Sequence, residues 1–230
     1  GFDENIDTTF SIGRTHHTHE LNLYIEDTYT PCHWFKMNAG LHATLYHADG
    51  RFFPSIEPRL GMRFLPHKDV AIKMSYAYMS QYVHMLSNSS VSLPTDLWVP
   101  ITADIPPMRS MQAAVGLTYN VCNQVELSVE GYYKKMINLL EYKDGASYTS
   151  GQNWEKQVCV GDGWSYGVQF LAQRKVGPVT GWIGYTWSRT MRQFDRPGQE
   201  INYGKPFHAK YDREHDLSIT LQYRVTPKWE

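Results

Sequence analysis

Long apolar runs, paired cysteines and a charge bias are all missing from this sequence of 230 residues. No uninterrupted apolar stretch approaches the roughly 18 residues that a membrane-spanning helix needs, which excludes a helical membrane protein. The three cysteines, Cys32, Cys122 and Cys159, are odd in number and far apart, which argues against a disulfide framework and gives no zinc-type pair. The formal net charge is -1, with both signs mixed along the chain, so the electrostatic footprint of a nucleic-acid partner is lacking. The first residues, "GFDENIDTTFSIG", have neither a basic nor an apolar leader region. The expectation is a cytoplasmic protein or an interior piece of a longer exported chain.

Aromatic residues, by contrast, are abundant. They make up 14% of the chain, with 16 Tyr and 7 Trp, although the mean hydropathy is only -0.47. Rings with a polar tip suit a binding surface or a membrane interface.

Period-two alternation is the dominant pattern, and it predicts about nine strands. In "HDLSITLQYRV" (215–225), Leu217, Ile219, Leu221, Tyr223 and Val225 share one face, while Asp216, Ser218, Thr220, Gln222 and Arg224 share the other. Similar runs cover 19–29, 34–46, 55–65, 70–80, 110–120, 124–142, 163–175 and 179–190. Most last ten residues or more, against a common globular length of about 5 to 6. A tilted membrane-crossing strand needs about 9 to 11.

Connection lengths point the same way. Short links at 30–33, 66–69, 121–123 and 176–178 alternate with longer ones at about 47–54, 81–109, 143–162 and 191–211. In an up-and-down meander this puts short turns at one end and long loops at the other, as in outer-membrane barrels. Greek-key sandwiches mix loop lengths at both ends. Charges follow a matching rule: Glu26, Lys36, Glu57, Arg59, Arg63, Lys73, Glu126, Glu130, Lys134, Asp216 and Arg224 fall on the polar register. An Arg or Lys facing lipid near the midplane costs about 2 to 4 kcal/mol. Tyr29, Trp34, Phe35, Phe64 and Tyr119 gather near short turns, and Tyr78, Tyr82 and Trp187 toward long loops, as two interfacial girdles would require. The fold expected is all-β, an antiparallel up-and-down transmembrane β-barrel segment. Glu57, Arg59, Arg63, Glu126, Glu130, Asp216 and Arg224 are its candidate lumen-facing residues.

Several stretches resemble the barrel of TonB-dependent outer-membrane receptors, in particular the type common in Bacteroidetes. They are "PSIEPRLGMRF" (54–64), "YVHMLSNSSVSLPTDLWVP" (82–100), "GWSYGVQFLAQRKVGPVTGWIGYTWSRT" (163–190) and "YDREHDLSITLQYRV" (211–225). The resemblance implies a wall of about 22 strands, of which residues 1–230 form part. It also implies a plug domain and a segment that engages the TonB complex, neither of which is in this sequence. Implied partners are the outer-membrane bilayer, the TonB complex through the plug, a small-molecule or oligomeric nutrient such as a metal chelate, and a surface lipoprotein. A passive porin and a soluble β-rich binding module are the alternatives.

No cofactor or catalytic set is expected. "GWSYG" (163–167) matches the spacing of a nucleophile elbow, but alternation continues straight through it, whereas an elbow needs a strand-to-helix turn. His16, His17 and His19, with His42, His47 and His84 elsewhere, have side chains able to hold a transition metal. "DREHD" (212–216) suits an ion-pair network between strands. Tyr82, Asp96, Trp98 and Arg109, in a proline-stiffened loop, are the candidates for substrate capture.

Overall fold

A computed structural model of the chain describes residues 17–86, 97–143 and 154–224. In chain order the strands are β1 (His19–Cys32), β2 (Phe35–Ala48), β3 (Arg51–His67), β4 (Val70–Gln81), β5 (Val83–Leu86), β6 (Leu97–Pro100), β7 (Met108–Val121), β8 (Val125–Tyr142), β9 (Val158–Arg174), β10 (Val179–Gln193), β11 (Phe207–His208) and β12 (His215–Tyr223). Nine of them form an antiparallel meander in the order β1-β2-β3-β4-β7-β8-β9-β10-β12. The short β11 also pairs with β10, and β5 with β6 forms a separate hairpin. The nine alternating runs of the sequence are the nine long strands. "GWSYG" lies inside β9 and makes no elbow.

One expectation fails. The link between β2 and β3 is not a longer loop but a two-residue turn, Asp49–Gly50, with φ of 47° and 74°. A two-residue turn with both angles positive matches the right-handed twist of a hairpin, and Asp-Gly is among its strongest signals. β3 therefore begins at Arg51 and runs through three prolines, Pro54, Pro58 and Pro66. Its segment before Arg59 pairs with β2 only, and Pro54 and Pro58 are tolerated because one side of the strand has no ladder to break. The remaining links keep the expected ends: the short turns share one end, and the described residues within 82–107, 143–157 and 194–214 lie at the other.

Register shows why the meander needs a non-aqueous neighbour. Phe64, Ile72, Leu117, Val129, Phe170, Tyr185 and Leu217 form one continuous cross-strand row over β3 to β12. Nothing among the described residues covers this face: Ile25 is 71% exposed, Leu221 70% and Leu217 63%. Burial of such surface is worth about 25 cal/mol per Å², so water is a poor solvent for it. Buried polar residues lie on the opposite face, with Glu57 at 3% and Thr44 at 4% exposure. The apolar register does carry a few charges, among them Asp27 opposite Ala39 and Arg174 opposite Gly181.

Buried apolar clusters occur only at the long-loop end among the described residues. Tyr46 and Ala48 pack with Tyr82 and Ile101; Leu86, Val99, Ile105 and Val158 form a second cluster; Leu139, Cys159, Phe194 and Ile201 form a third. Each ties a long loop to strand ends. Tyr82 thus belongs to a loop anchor and not to an interfacial girdle, which corrects that expectation.

Candidate functional site: the polar face and its loop end

Glu57 organises the polar face where β3 parts from β4. Ladder pairing of these strands ends at Arg59 and Ala77, so the Ser80 N–H is left free and donates to the Glu57 carboxylate at 3.2 Å. Ser55 Oγ donates to the same group at 2.9 Å, His42 Nδ1 lies 3.2 Å away and the Arg59 guanidinium 3.8 Å. A buried carboxylate is tolerated only with such partners. Tyr82 extends the network: its hydroxyl donates to Ser55 Oγ at 2.7 Å, and its ring stacks on Tyr46 at 4.6 Å. Burial pushes the Tyr82 phenol pKa up, so it stays protonated as a donor.

A second polar region lies between β10 and the chain leading into β12. Thr186, Ser188, Thr190 and Arg192 line a cavity of about 390 Å³ together with Tyr211, Asp212 and Arg213. Asp212 accepts from the Thr190 N–H at 2.9 Å and meets His208 Nδ1 at 2.8 Å. Arg192 also bonds Glu141 on β8, spanning the strand between. Glu214, just before β12, accepts from Arg189 at 2.6 Å and from the Trp187 indole at 3.2 Å, and these donors hold its carboxyl below the usual range. The "DREHD" stretch does make ion pairs to the neighbouring strand. Hydroxyls, the two carboxylates of Asp212 and Asp216, and two guanidinium groups around one opening can bind a polar ligand; no nucleophile-base pair is assembled there among the described residues.

The predicted site residues are dispersed around this face. Glu57 meets Arg59 directly and Tyr82 through Ser55. Arg63 is exposed on the polar register, Glu126 pairs with Lys175 at 2.8 Å, and Glu130 lies over Gly116. Asp216 stands opposite Thr186, and the Arg224 N–H, just past β12, donates to the Pro178 carbonyl at 2.9 Å. Of the loop candidates, Tyr82 is buried and Trp98 is 62% exposed. Arg109 takes the register of Met111 and Ala113, which is the outer face. Asp96 and His16 lie outside the described residues. His19 stands opposite His47, their rings 6.0 Å apart, and no group of three or more metal-ligating side chains occurs among the described residues. Sequence reasoning missed His42, Ser55 and Ser80 as partners of Glu57. The polar register placed His42 and Ser55 on the right face, but only strand pairing shows that they meet.

Residues 2–230 match the family model described as "TonB dependent receptor-like, beta-barrel". The chain belongs to this family. Among solved structures, the FrpB iron transporter of Neisseria meningitidis (F3-3 variant) is similar over 91% of this chain and 31% of its own, with TM-score 0.65 and 15% identity. The ferric-catecholate import receptor Fiu of E. coli K12 is similar over 91% and 32%, with TM-score 0.57 and 15% identity. The alcaligin outer-membrane receptor FauA of Bordetella pertussis is similar over 92% and 35%, with TM-score 0.54 and 16% identity. The chain spans about a third of the length of these structures. No curated protein matches the sequence. In the family's terms the apolar face is the outside of a barrel wall and the polar face its lumen.

Proposed function

We propose that the chain is part of the barrel wall of a TonB-dependent importer in the cell outer membrane, carrying a metal chelate or similar nutrient inward from the long-loop end. The observation that carries this reading is the inverted sheet: a continuous apolar face left bare and a polar face with buried carboxylate and hydroxyl groups, in a chain of this family. The similar structures, an iron transporter, a ferric-catecholate receptor and an alcaligin receptor, support a chelate over other nutrients. The quoted stretches support a receptor of the Bacteroidetes type, and with it a surface lipoprotein as partner.

The ligand would first meet exposed Trp98 and the cavity beside Arg192 and Arg213, whose hydroxyl, carboxylate and guanidinium groups suit a polar ligand. Tyr82 contributes by anchoring its loop. Lumen charges such as Arg59, Glu130 and Asp216 line the passage beyond. No step here needs bond chemistry by this wall; energy comes from the TonB complex acting on the plug.

Uptake of labelled ferric chelates by cells that express the full-length receptor tests the reading. Uptake that disappears on deleting the receptor, and equally on deleting TonB, is the expected result. Uptake that persists without TonB would support a passive porin instead.

A further inference from the structure

Two cations stand on the apolar side of the sheet, where charge is costly. Arg109 shares the outer register with Met111, Ala113 and Val115 on β7, and Lys135 on β8 pairs directly with Met111 and with Trp164 on β9. Arg109 and Lys135 are diagonal neighbours across the two strands, with Cβ atoms about 7 Å apart. Both are exposed, and among the described residues neither takes part in an ion pair or hydrogen bond. Two other outward charges at this end are engaged: Arg189 pairs with Glu214 at 2.6 Å, and Asp162 with Arg196 at 3.5 Å.

Their height along the strand matches a membrane interface. β7 is uncharged on its outer side from Val121 to Met111, about 34 Å of strand at about 3.4 Å per residue. A tilt of about 40° turns that into about 26 Å of depth, close to the height of a barrel's apolar band. Arg109 is the first outward residue of β7 beyond it. One outward step below Lys135 the surface is hollow: a groove of about 440 Å³ has Ala113, Val115 and Gly131 as its floor and Tyr133, Tyr166 and Trp187 around it. Gly131 makes the hollow, since its row is otherwise filled by Val115, Val168 and Trp187. A Cβ added there would meet only the Gly167 carbonyl oxygen, at 4.0 Å. Toward the short turns a second groove, of about 450 Å³, lies among Leu117, Val129, Phe170 and Tyr185.

We propose that Arg109 and Lys135 hold the phosphate of one acidic lipid of the loop-side leaflet, whose acyl chain lies in the groove beneath them. Charge and shape point to this occupant independently. A guanidinium fork matches phosphate oxygens, and an ammonium adds a second positive donor. The phosphate of a lipid lies where headgroup meets chain, so a cation pair one step above an apolar hollow suits both parts of one molecule. A neutral lipid would leave the cations without counter-charge, and a water-soluble anion would leave the hollow unfilled. The proposal selects one lipid class at one place, which general solvation of an apolar face does not. It rests on the apolar face being the outside of a barrel wall, and it does not depend on which nutrient is imported.

Photolabelling tests this at the site itself. Full-length receptor in phosphatidylcholine vesicles receives a trace of phosphatidylglycerol or of phosphatidylcholine, each carrying the same photoactivatable acyl chain, and adducts are mapped by peptide mass spectrometry. Each cation near an anionic headgroup favours it about fivefold, so phosphatidylglycerol adducts at 113–115 and 131–133 should exceed phosphatidylcholine adducts on the order of 25-fold. The excess should vanish in Arg109→Gln/Lys135→Gln and persist in Arg109→Lys/Lys135→Arg. Gly131→Leu keeps both cations but fills the groove, and should cut phosphatidylglycerol adducts there severalfold. Inorganic phosphate added at constant ionic strength should leave the adducts in place. A wild-type ratio near unity, an excess that survives removal of both cations, a yield unmoved by Gly131→Leu, or adducts lost to inorganic phosphate overturns the proposal. Absence of adducts from either lipid along the whole apolar face would instead overturn the barrel-wall reading, and the proposal with it. TonB-dependent uptake, measured separately, reports on import.

Discussion

The two faces of this sheet are built from the same strands, residue by residue in alternation, yet they obey opposite rules. Outward, large apolar side chains such as Leu23 and Ile219 are left more than half exposed. Inward, Glu57 and Thr44 are almost wholly covered. In a water-soluble protein the second face would be outside. The inversion means that the solvent of the outer face is hydrocarbon, and that buried polarity inside is sustained by hydrogen bonds and not by an apolar core. A similar contrast separates the two ends: every buried apolar cluster among the described residues lies under the long loops, while the short-turn end relies on ladder pairing and bilayer.

The sharpest way to break the comparison uses neighbours in β9. A Phe170→Lys change puts a charge on the outer face and should cost about 2 to 4 kcal/mol in bilayer-embedded receptor. Gln169→Lys, one residue away on the inner face, should stay within about 0.5 kcal/mol. Urea unfolding of the full-length receptor in vesicles measures both.

Inside, Glu57→Ala strips the Ser80 N–H and Ser55 of their acceptor, at a cost of about 1 to 3 kcal/mol. Hydrogen exchange should rise in 97–107 more than in β9. Gly181 tests pairing alone: its φ is 145°, and a methyl group there would sit 2.1 Å from the Thr220 carbonyl oxygen. Gly181→Ala should loosen β12 from β10 at a cost of about 1 to 3 kcal/mol, seen as faster exchange confined to 215–223.

The smallest effect depends on pH. His84 is buried in the loop hairpin with Nε2 unpartnered; burial holds its pKa below the ordinary 6.5, against an opposing hydrogen bond to the Pro106 backbone. The unfolded imidazole binds a proton that the folded one refuses, so loop stability is full above about pH 6.5 and declines as pH falls below it. Protection factors at 97–107, taken relative to the intrinsic exchange rate at each pH, should therefore fall from pH 7 to pH 5, the flanking interval around an ordinary histidine, and His84→Leu should remove that dependence.

Much of this was legible in the chain. Alternation alone placed Leu217 outside and Asp216 inside, because a period of two leaves no other choice once one face is buried. The Asp49–Gly50 turn was legible too, although spacing suggested a longer link; local turn chemistry decides a hairpin, and the prolines at 54 and 58 disguised β3 as loop. What sequence could not show are contacts made by loops over strands. Tyr82 looks like a free aromatic in a capture loop until its stacking on Tyr46, 36 positions away, is seen. Arg109 likewise looks like a loop cation, but the strand begins at Met108 and its register turns Arg109 outward.

The central claim is which face meets lipid, and single cysteines along β9 test it most directly. Tyr166, Ser165, Val168, Gln173, Phe170 and Gln169 are replaced one at a time in an otherwise cysteine-free full-length receptor in vesicles. Each thiol is labelled with a fluorophore, then exposed to a lipid-borne and to a water-borne quencher. The account predicts strict segregation by register, with 166, 168 and 170 quenched from lipid and 165, 169 and 173 from water. Equal quenching from water at all six positions, or the reverse alternation, would contradict it.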